Sequence, residues 1–315
     1  MIKVREKYQS VAAVEYQDDP LLLERERTGQ WIGVGAELFG VSTDQPVQTN
    51  EFRMLLEGMT PSGQSMYQRR RNNRRCAWDY VFTSSKSVSI AALCIDASLR
   101  KTISQTWNQA VNSTMSLMSK LIARRGYQRD GRNIDLPSPI CIAARYTHEN
   151  SRYGDPHLHS HLVLINATYD LNHKQWYAIQ PSFTYKSIKT INTLFQRELS
   201  LQLNTNGVRA RFDGDHAEII GIPKNVQDEY SKGHNAIDEY ARNPRPRKFR
   251  NLNTNAYRNQ VNDKIRPPRK KTVEFLDRVF DTATKDLLLK EIETKKTKII
   301  VPKNEITELQ KNLNN

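Results

Sequence analysis

At 315 residues the chain can build one large domain or two ordinary ones. A net charge of +14 and a pI near 9.6 are unusual for an enzyme of small metabolites and point to an acidic partner, of which nucleic acid is the commonest large one. Three cysteines, Cys76, Cys94 and Cys141, show no CxxC spacing and argue against a disulfide framework. The charged start Met-Ile-Lys-Val-Arg-Glu-Lys carries no apolar leader block, and no stretch approaches the roughly 20 apolar residues of a membrane span. A Gly-x-x-x-x-Gly-Lys-Ser/Thr loop is also missing, which excludes the familiar NTP motors. A soluble, cytoplasmic protein is expected.

In chain order, Ile2 and Val4 alternate with charges as a short strand, and Tyr8 to Tyr16 reads as a helix ending at Asp18-Asp19-Pro20. Trp31-Ile-Gly-Val-Gly-Ala-Glu-Leu-Phe-Gly40 suggests a close-packed turn leading into a short helix. Residues 43–75 are polar and close on arginines that include Arg74 and Arg75. Asp79-Tyr-Val-Phe-Thr83 is rich in strand formers, and Ser84-Ser85-Lys86-Ser87 breaks that pattern. Asp96 is an N-cap for a long amphipathic helix through Ile103, Trp107, Ala110, Val111, Leu117, Met118, Leu121 and Ile122, closed by Gly126. Gly126 to Pro139 reads as a loop.

Two strands then follow, Ile140 to His148 and His157 to Tyr169, joined by a turn-rich connector. A short strand at Trp176 to Ile179 precedes a second helix marked by Ile188, Ile191, Leu194, Phe195 and Leu199, ending near Asn206-Gly207. Val208 to Phe212 and Ala217 to Ile222 form a hairpin around Asp213-Gly214. Beyond Pro223 the composition changes: residues 230–275 hold 12 Lys/Arg against 4 Asp/Glu, with Tyr240, Phe249 and Tyr257 among them. Such a stretch fits a nucleic-acid grip with rings able to stack on bases. The last forty residues read as a helix, a short Ile299-Ile-Val strand and a final helix.

Four of the seven histidines lie between Arg145 and Asn166. His157, His159 and His161 alternate and so share one face of a strand, and neutral imidazole is the commonest side-chain metal ligand. A second set pairs His159 and His161 with His148, which an antiparallel hairpin would bring opposite. Spacing alone leaves the two triads open. Either leaves an ion's charge uncancelled, as a Lewis acid for a phosphate oxygen requires. Tyr8 and Tyr16 are candidate nucleophiles, and the acid Asp79, set in an apolar strand, is a candidate to orient a ligand or take a proton.

Trp31-Ile-Gly-Val-Gly-Ala-Glu-Leu, Asp79-Tyr-Val-Phe-Thr-Ser-Ser-Lys86-Ser-Val-Ser and His148…His159-Ser-His161, in this order over most of residues 1–220, resemble the MobF group of conjugative relaxases, which are HUH-type endonucleases. The resemblance implies an α+β fold, with a central antiparallel sheet carrying the histidines, flanking helices and a helical DNA-clamping extension. It divides the chain into a catalytic core over 1–222 and an extension over 223–315 of the same compact unit. It implies that His148, His159 and His161 hold a divalent ion and that His157 is a neighbour. Asp79 would assist the nucleophile or orient a ligand, Tyr16 would attack DNA, and Tyr8 is the reserve.

Many family members carry two tyrosine pairs, whereas Tyr8 and Tyr16 stand singly here and residues 17–30 hold none. Lys86 falls where DNA backbone would pass, and Arg74, Arg75, Arg245, Arg247, Lys248 and Arg250 are further candidate DNA contacts. The implied partner is single-stranded or hairpin DNA at a plasmid transfer origin, with other proteins of a conjugation complex, inside a bacterial cytoplasm. Magnesium or manganese is the expected ion, with zinc and nickel possible because imidazole sites accept them readily. The same chemistry would also serve a rolling-circle initiator or a transposase. A metal-dependent hydrolase using water and a non-catalytic DNA-binding module are the readings from other classes.

Overall fold

The computed structural model describes residues 2–7, 29–67, 74–127, 133–151, 153–233 and 235. Its centre is a five-stranded antiparallel sheet of β1 (Lys3–Lys7), β2 (Gln30–Ile32), β3 (Ala77–Thr83), β6 (Ala143–Asn150) and β7 (Pro156–Ile165), in the order β1-β3-β7-β6-β2. The strand carrying His157, His159 and His161 is therefore central, as expected. Between β3 and β6 the chain forms a ribbon of β4 (Ala123–Tyr127) and β5 (Asn133–Pro137). It later adds β8 (Thr168–Asp170) paired with β9 (Gln175–Tyr177), β10 (Ile179–Gln180) on the β4 ribbon, and a hairpin of β11 (Ala210–Phe212) with β12 (Ala217–Ile219).

Seven helices are described: α1 (Ala36–Phe39), α2 (Thr49–Glu57), α3 (Lys86–Cys94), α4 (Ala97–Ser119), α5 (Ser182–Lys186), α6 (Ile188–Thr205) and α7 (Lys224–Glu229). Asp96 caps α4 as its sequence position suggests, accepting the N–H groups of Ser98 and Leu99 at 2.8 and 2.9 Å. The helix ends at Ser119, not at Gly126, because the chain turns over Lys120–Ile122 and continues into β4. Gly126 sits inside that ribbon, where a β-carbon would lie 2.4 Å from Leu136 Cδ1, so its service there is close packing. The expected loop from Gly126 to Pro139 is likewise replaced by the β4–β5 pairing. Within the polar stretch 43–75, α2 buries Phe52, Leu55 and Leu56 on one side and stops at Gly58, whose φ is 85°.

The pleat divides the sheet's side chains between two environments. Trp78, Tyr80 and Phe82 of β3 and Leu158, Leu162 and Leu164 of β7 meet α3, α4 and α6 in the larger core. There Phe195 stacks edge-on against Phe82 and Trp107, with centroids 5.0 and 5.3 Å apart. The opposite face is shared. At one end Val163, Ile165, Ala77, Ala144 and Trp31 pack under α1 and α2 in a second core, and at the other end the same face carries the histidines. The hairpin β11–β12 closes the first core through Ala210, Ala217 and Ile219.

Candidate metal centre

The antiparallel register of β6 and β7 sets His148 opposite His159 and Tyr146 opposite His161, so all four rings project from one face. Ring centroids lie 5.1 Å apart for His148–His159, 5.2 Å for His148–His161 and 5.5 Å for His159–His161. With metal–nitrogen bonds of about 2.1 Å, imidazoles sharing one ion have centroids roughly 5 Å apart. These three therefore fit a common ion. His157 touches only one of them, stacking on His159 at 4.7 Å. Mutual ring contact thus distinguishes the set of His148, His159 and His161 from the set that includes His157. Among the described residues no three His, Cys, Asp or Glu side chains already converge on one point; the rings are adjacent without being drawn together.

The hydrogen bonds orient two of the rings. His161 Nδ1 lies 2.8 and 3.0 Å from the two carboxylate oxygens of Asp79, which is fully buried. His159 Nδ1 lies 2.8 Å from the main-chain carbonyl of His157. Both acceptors select the tautomer with hydrogen on Nδ1, which leaves Nε2 bare for an ion. Burial lowers the pKa of His159 well below its ordinary value, helped by the neighbouring His157 and His148. Burial and then the Lys86 charge lower His157 to about 4. Neutral imidazole is the form a metal requires.

Asp79 owes its place to the β3–β7 ladder, in which it opposes Val163 and Val81 opposes His161. Its carboxylate thus lies diagonally behind the His161 ring, as suits orienting a ligand. Tyr146 is the neighbour that sequence reading passed over. Its ring packs on Phe52 with centroids 5.9 Å apart, and its hydroxyl is buried with no hydrogen-bond partner among the described residues. Burial pushes that phenol's pKa far up.

The other candidates divide. Lys86 donates from Nζ to the carbonyl of Pro156 at 2.9 Å, at the foot of the histidine strand. The Arg74 guanidinium donates to the carbonyl of Leu56 and covers the ring of Tyr67 at 4.5 Å, while Arg75 lies 5.7 Å over Trp78. These arginines hold the end of α2 and the start of β3. Tyr8, Tyr16, Arg245, Arg247, Lys248 and Arg250 lie outside the described residues, as do Tyr240, Phe249 and Tyr257 and the final forty residues. Among the described residues no helix is long and apolar enough to cross a membrane.

A central antiparallel sheet with a cross-strand histidine cluster and an aspartate behind one ring is the frame expected of an HUH-type protein. A family model described as TrwC relaxase matches residues 4–284, and the chain belongs to that family. It is 28% identical over 207 residues to the multifunctional conjugation protein TraI of Escherichia coli, an alignment covering 62% of this chain and 11% of that relative. The chain thus spans about a ninth of the curated relative's length. Among solved structures it resembles the conjugative relaxase TrwC in a metal-bound complex with oriT DNA, with a TM-score of 0.75 at 23% identity, covering 93% of this chain and 99% of that one. It also resembles TrwC bound to a 27-mer DNA comprising the recognition hairpin and the cleavage site, with a TM-score of 0.69 at 22% identity, covering 93% and 98%.

Proposed function

We propose that the protein is a conjugative relaxase that nicks one strand of plasmid DNA at an origin of transfer and later rejoins it. The observation that carries this reading is the three-way contact of His148, His159 and His161 with Asp79 buried behind His161, in a member of the TrwC relaxase family. A divalent ion held by the three histidines would act as a Lewis acid on the scissile phosphate. Manganese suits imidazole donors better than magnesium, and zinc or nickel would also bind.

Asp79 fixes the His161 tautomer and the His157 carbonyl fixes that of His159, so both rings are set before an ion arrives. Tyr16 attacks the phosphorus, the 3′-oxygen leaves and takes up a proton, and the 5′ end remains on the protein as a phosphotyrosine. One phosphodiester is exchanged for another, so the reverse attack reseals the strand without ATP. Tyr8 is the reserve nucleophile. The core over 1–222 carries this chemistry, and the extension over 223–315 grips single-stranded or hairpin DNA through Arg245, Arg247, Lys248 and Arg250, which gives binding a steep salt dependence. Other conjugation proteins and the bacterial cytoplasm supply the setting.

The test is incubation of the protein with Mn²⁺ and an end-labelled oligonucleotide of the transfer origin. A covalent adduct that Tyr16→Phe abolishes is the expected result. Free nicked product without an adduct would point to a water-using hydrolase and overturn the tyrosine mechanism. DNA binding with no cleavage would point to a non-catalytic module.

A further inference from the structure

The segment Ser84-Ser85-Lys86-Ser87-Val88-Ser89 has an unexplained density of hydroxyls around one cation. The β3–β7 ladder ends at the pair Thr83–His159, although β7 begins three residues earlier at Pro156. Main-chain groups of Leu158 and Pro156 on that edge need other partners. The Leu158 carbonyl accepts from Ser84 N at 3.1 Å and Ser84 Oγ at 3.0 Å, and the Leu158 N–H donates to Ser89 Oγ at 3.1 Å. Pro156 has no N–H, and its carbonyl accepts from Lys86 Nζ. Side chains of this segment therefore continue the ladder where the strand stops.

Lys86 stands at the first position of α3, where the helix dipole disfavours a cation. The first turn already carries a side-chain cap: Ser85 Oγ accepts the Val88 N–H and donates to the Ala217 carbonyl of β12. What favours the ammonium there is the corner it holds. Asp155, 2% exposed, sits beside it, with Lys232 Nζ 3.9 Å from Oδ1. Burial raises the Asp155 pKa, against the charges of Lys86 and Lys232 and the N–H groups of Lys232 and Gly233, which its carboxylate accepts. The next carbonyl along the strand after Pro156 is that of His157, on which His159 Nδ1 rests.

We propose that Lys86 is a positioning residue for the metal centre rather than a phosphate contact: it holds the Asp155–Pro156 corner and so fixes the His157 carbonyl that orients His159. This inference rests on the metal reading above. Titration of the full chain with Mn²⁺ alone, without DNA, is compared between wild type and Lys86→Met, with oligonucleotide affinity measured against salt in EDTA. The expected result is Mn²⁺ affinity lowered about tenfold, as for loss of an outer partner of a ligand, with the salt slope unchanged. Unchanged Mn²⁺ affinity overturns the proposal. So does a slope reduced by roughly 0.7, the signature of one lost single-strand phosphate contact. A wild type that takes up no Mn²⁺ overturns both the metal reading and this one.

Should Lys86→Met not fold, Ser89→Ala decides. Its hydroxyl is fully buried and out of reach of DNA, and it grips the same strand end. Weaker Mn²⁺ binding by Ser89→Ala sustains the clamp, and wild-type affinity rejects it.

Discussion

The two halves of β7 carry the same kind of backbone and serve opposite purposes. From Leu162 to Ile165 every side chain is buried, with Val163 and Ile165 in the second core and Leu162 and Leu164 in the larger one. From Pro156 to His161 one face is given to imidazoles, and only Leu158 and Ser160 reach the helical core side. Even there the core is polar: Trp107 Nε1 donates to Ser160 Oγ at 2.7 Å, and Ser160 Oγ meets Thr147 Oγ1 at 2.9 Å. The apolar half holds the fold through packing. The histidine half is held by directed hydrogen bonds, which fix orientation more sharply than they add stability.

Substitutions in the two halves should therefore fail differently. His148→Ala should abolish Mn²⁺-dependent nicking, lowering metal affinity by more than about 100-fold, while the thermal midpoint of the metal-free protein stays near wild type. A large fall in that midpoint would show that the ring is needed for folding. Phe195→Ala, in the packed core, should do the reverse, costing about 3–5 kcal/mol in urea unfolding, with Mn²⁺ affinity of the folded protein kept. Asp79→Asn lies between the two, since the amide cannot match the carboxylate as an acceptor for His161. A loss of about 10–100-fold in Mn²⁺ affinity is expected by titration calorimetry.

The ion pair of Asp170 on β8 with Arg124 on β4 gives an acid-side contrast. Burial pushes the Asp170 pKa up, but the N–H groups of His173 and Asn172 and the Arg124 guanidinium outweigh it and bring it down to about 2. Its folded pKa lies below the unfolded value near 3.9, so its stabilisation is complete above about pH 5 and is lost as pH falls through 2. Urea melts of wild type and Asp170→Asn should differ on the order of 2 kcal/mol at pH 6, with the gap shrinking as pH falls and closing only below about pH 2. A gap that stays constant with pH would rule out that ion cluster as the source. Smallest of all, His157→Ala should bind Mn²⁺ within about threefold of wild type, because its carbonyl, not its ring, serves His159. A loss as large as that of His148→Ala would replace the triad.

The central strands, the long helices and the final hairpin are written in periodicity, and the sequence order of Asp79, His148, His159 and His161 is enough to suggest the site. Choosing between the histidine sets needed the register, since a shift of one residue in β6 would have turned His148 to the helical face. The ribbon of β4 and β5 escaped because Arg124, Arg125 and Gly126 offer no apolar alternation, and one of its two pairings is with β10, distant in sequence. Helix α2 hid in a polar composition, with Phe52, Leu55 and Leu56 as its whole buried stripe. The three residues of β2 are too few for any period. Nor does a sequence reveal that a main-chain carbonyl, at His157, would set a ligand's tautomer.

The histidine strand β7 has a hydrogen-bonded neighbour on each side, β3 and β6. Amides on such a strand are expected to exchange with solvent only when the sheet itself opens. An ion held there would sit on an interior strand of the sheet, and stripping it with a chelator would leave the cradle standing, ready to be refilled without refolding.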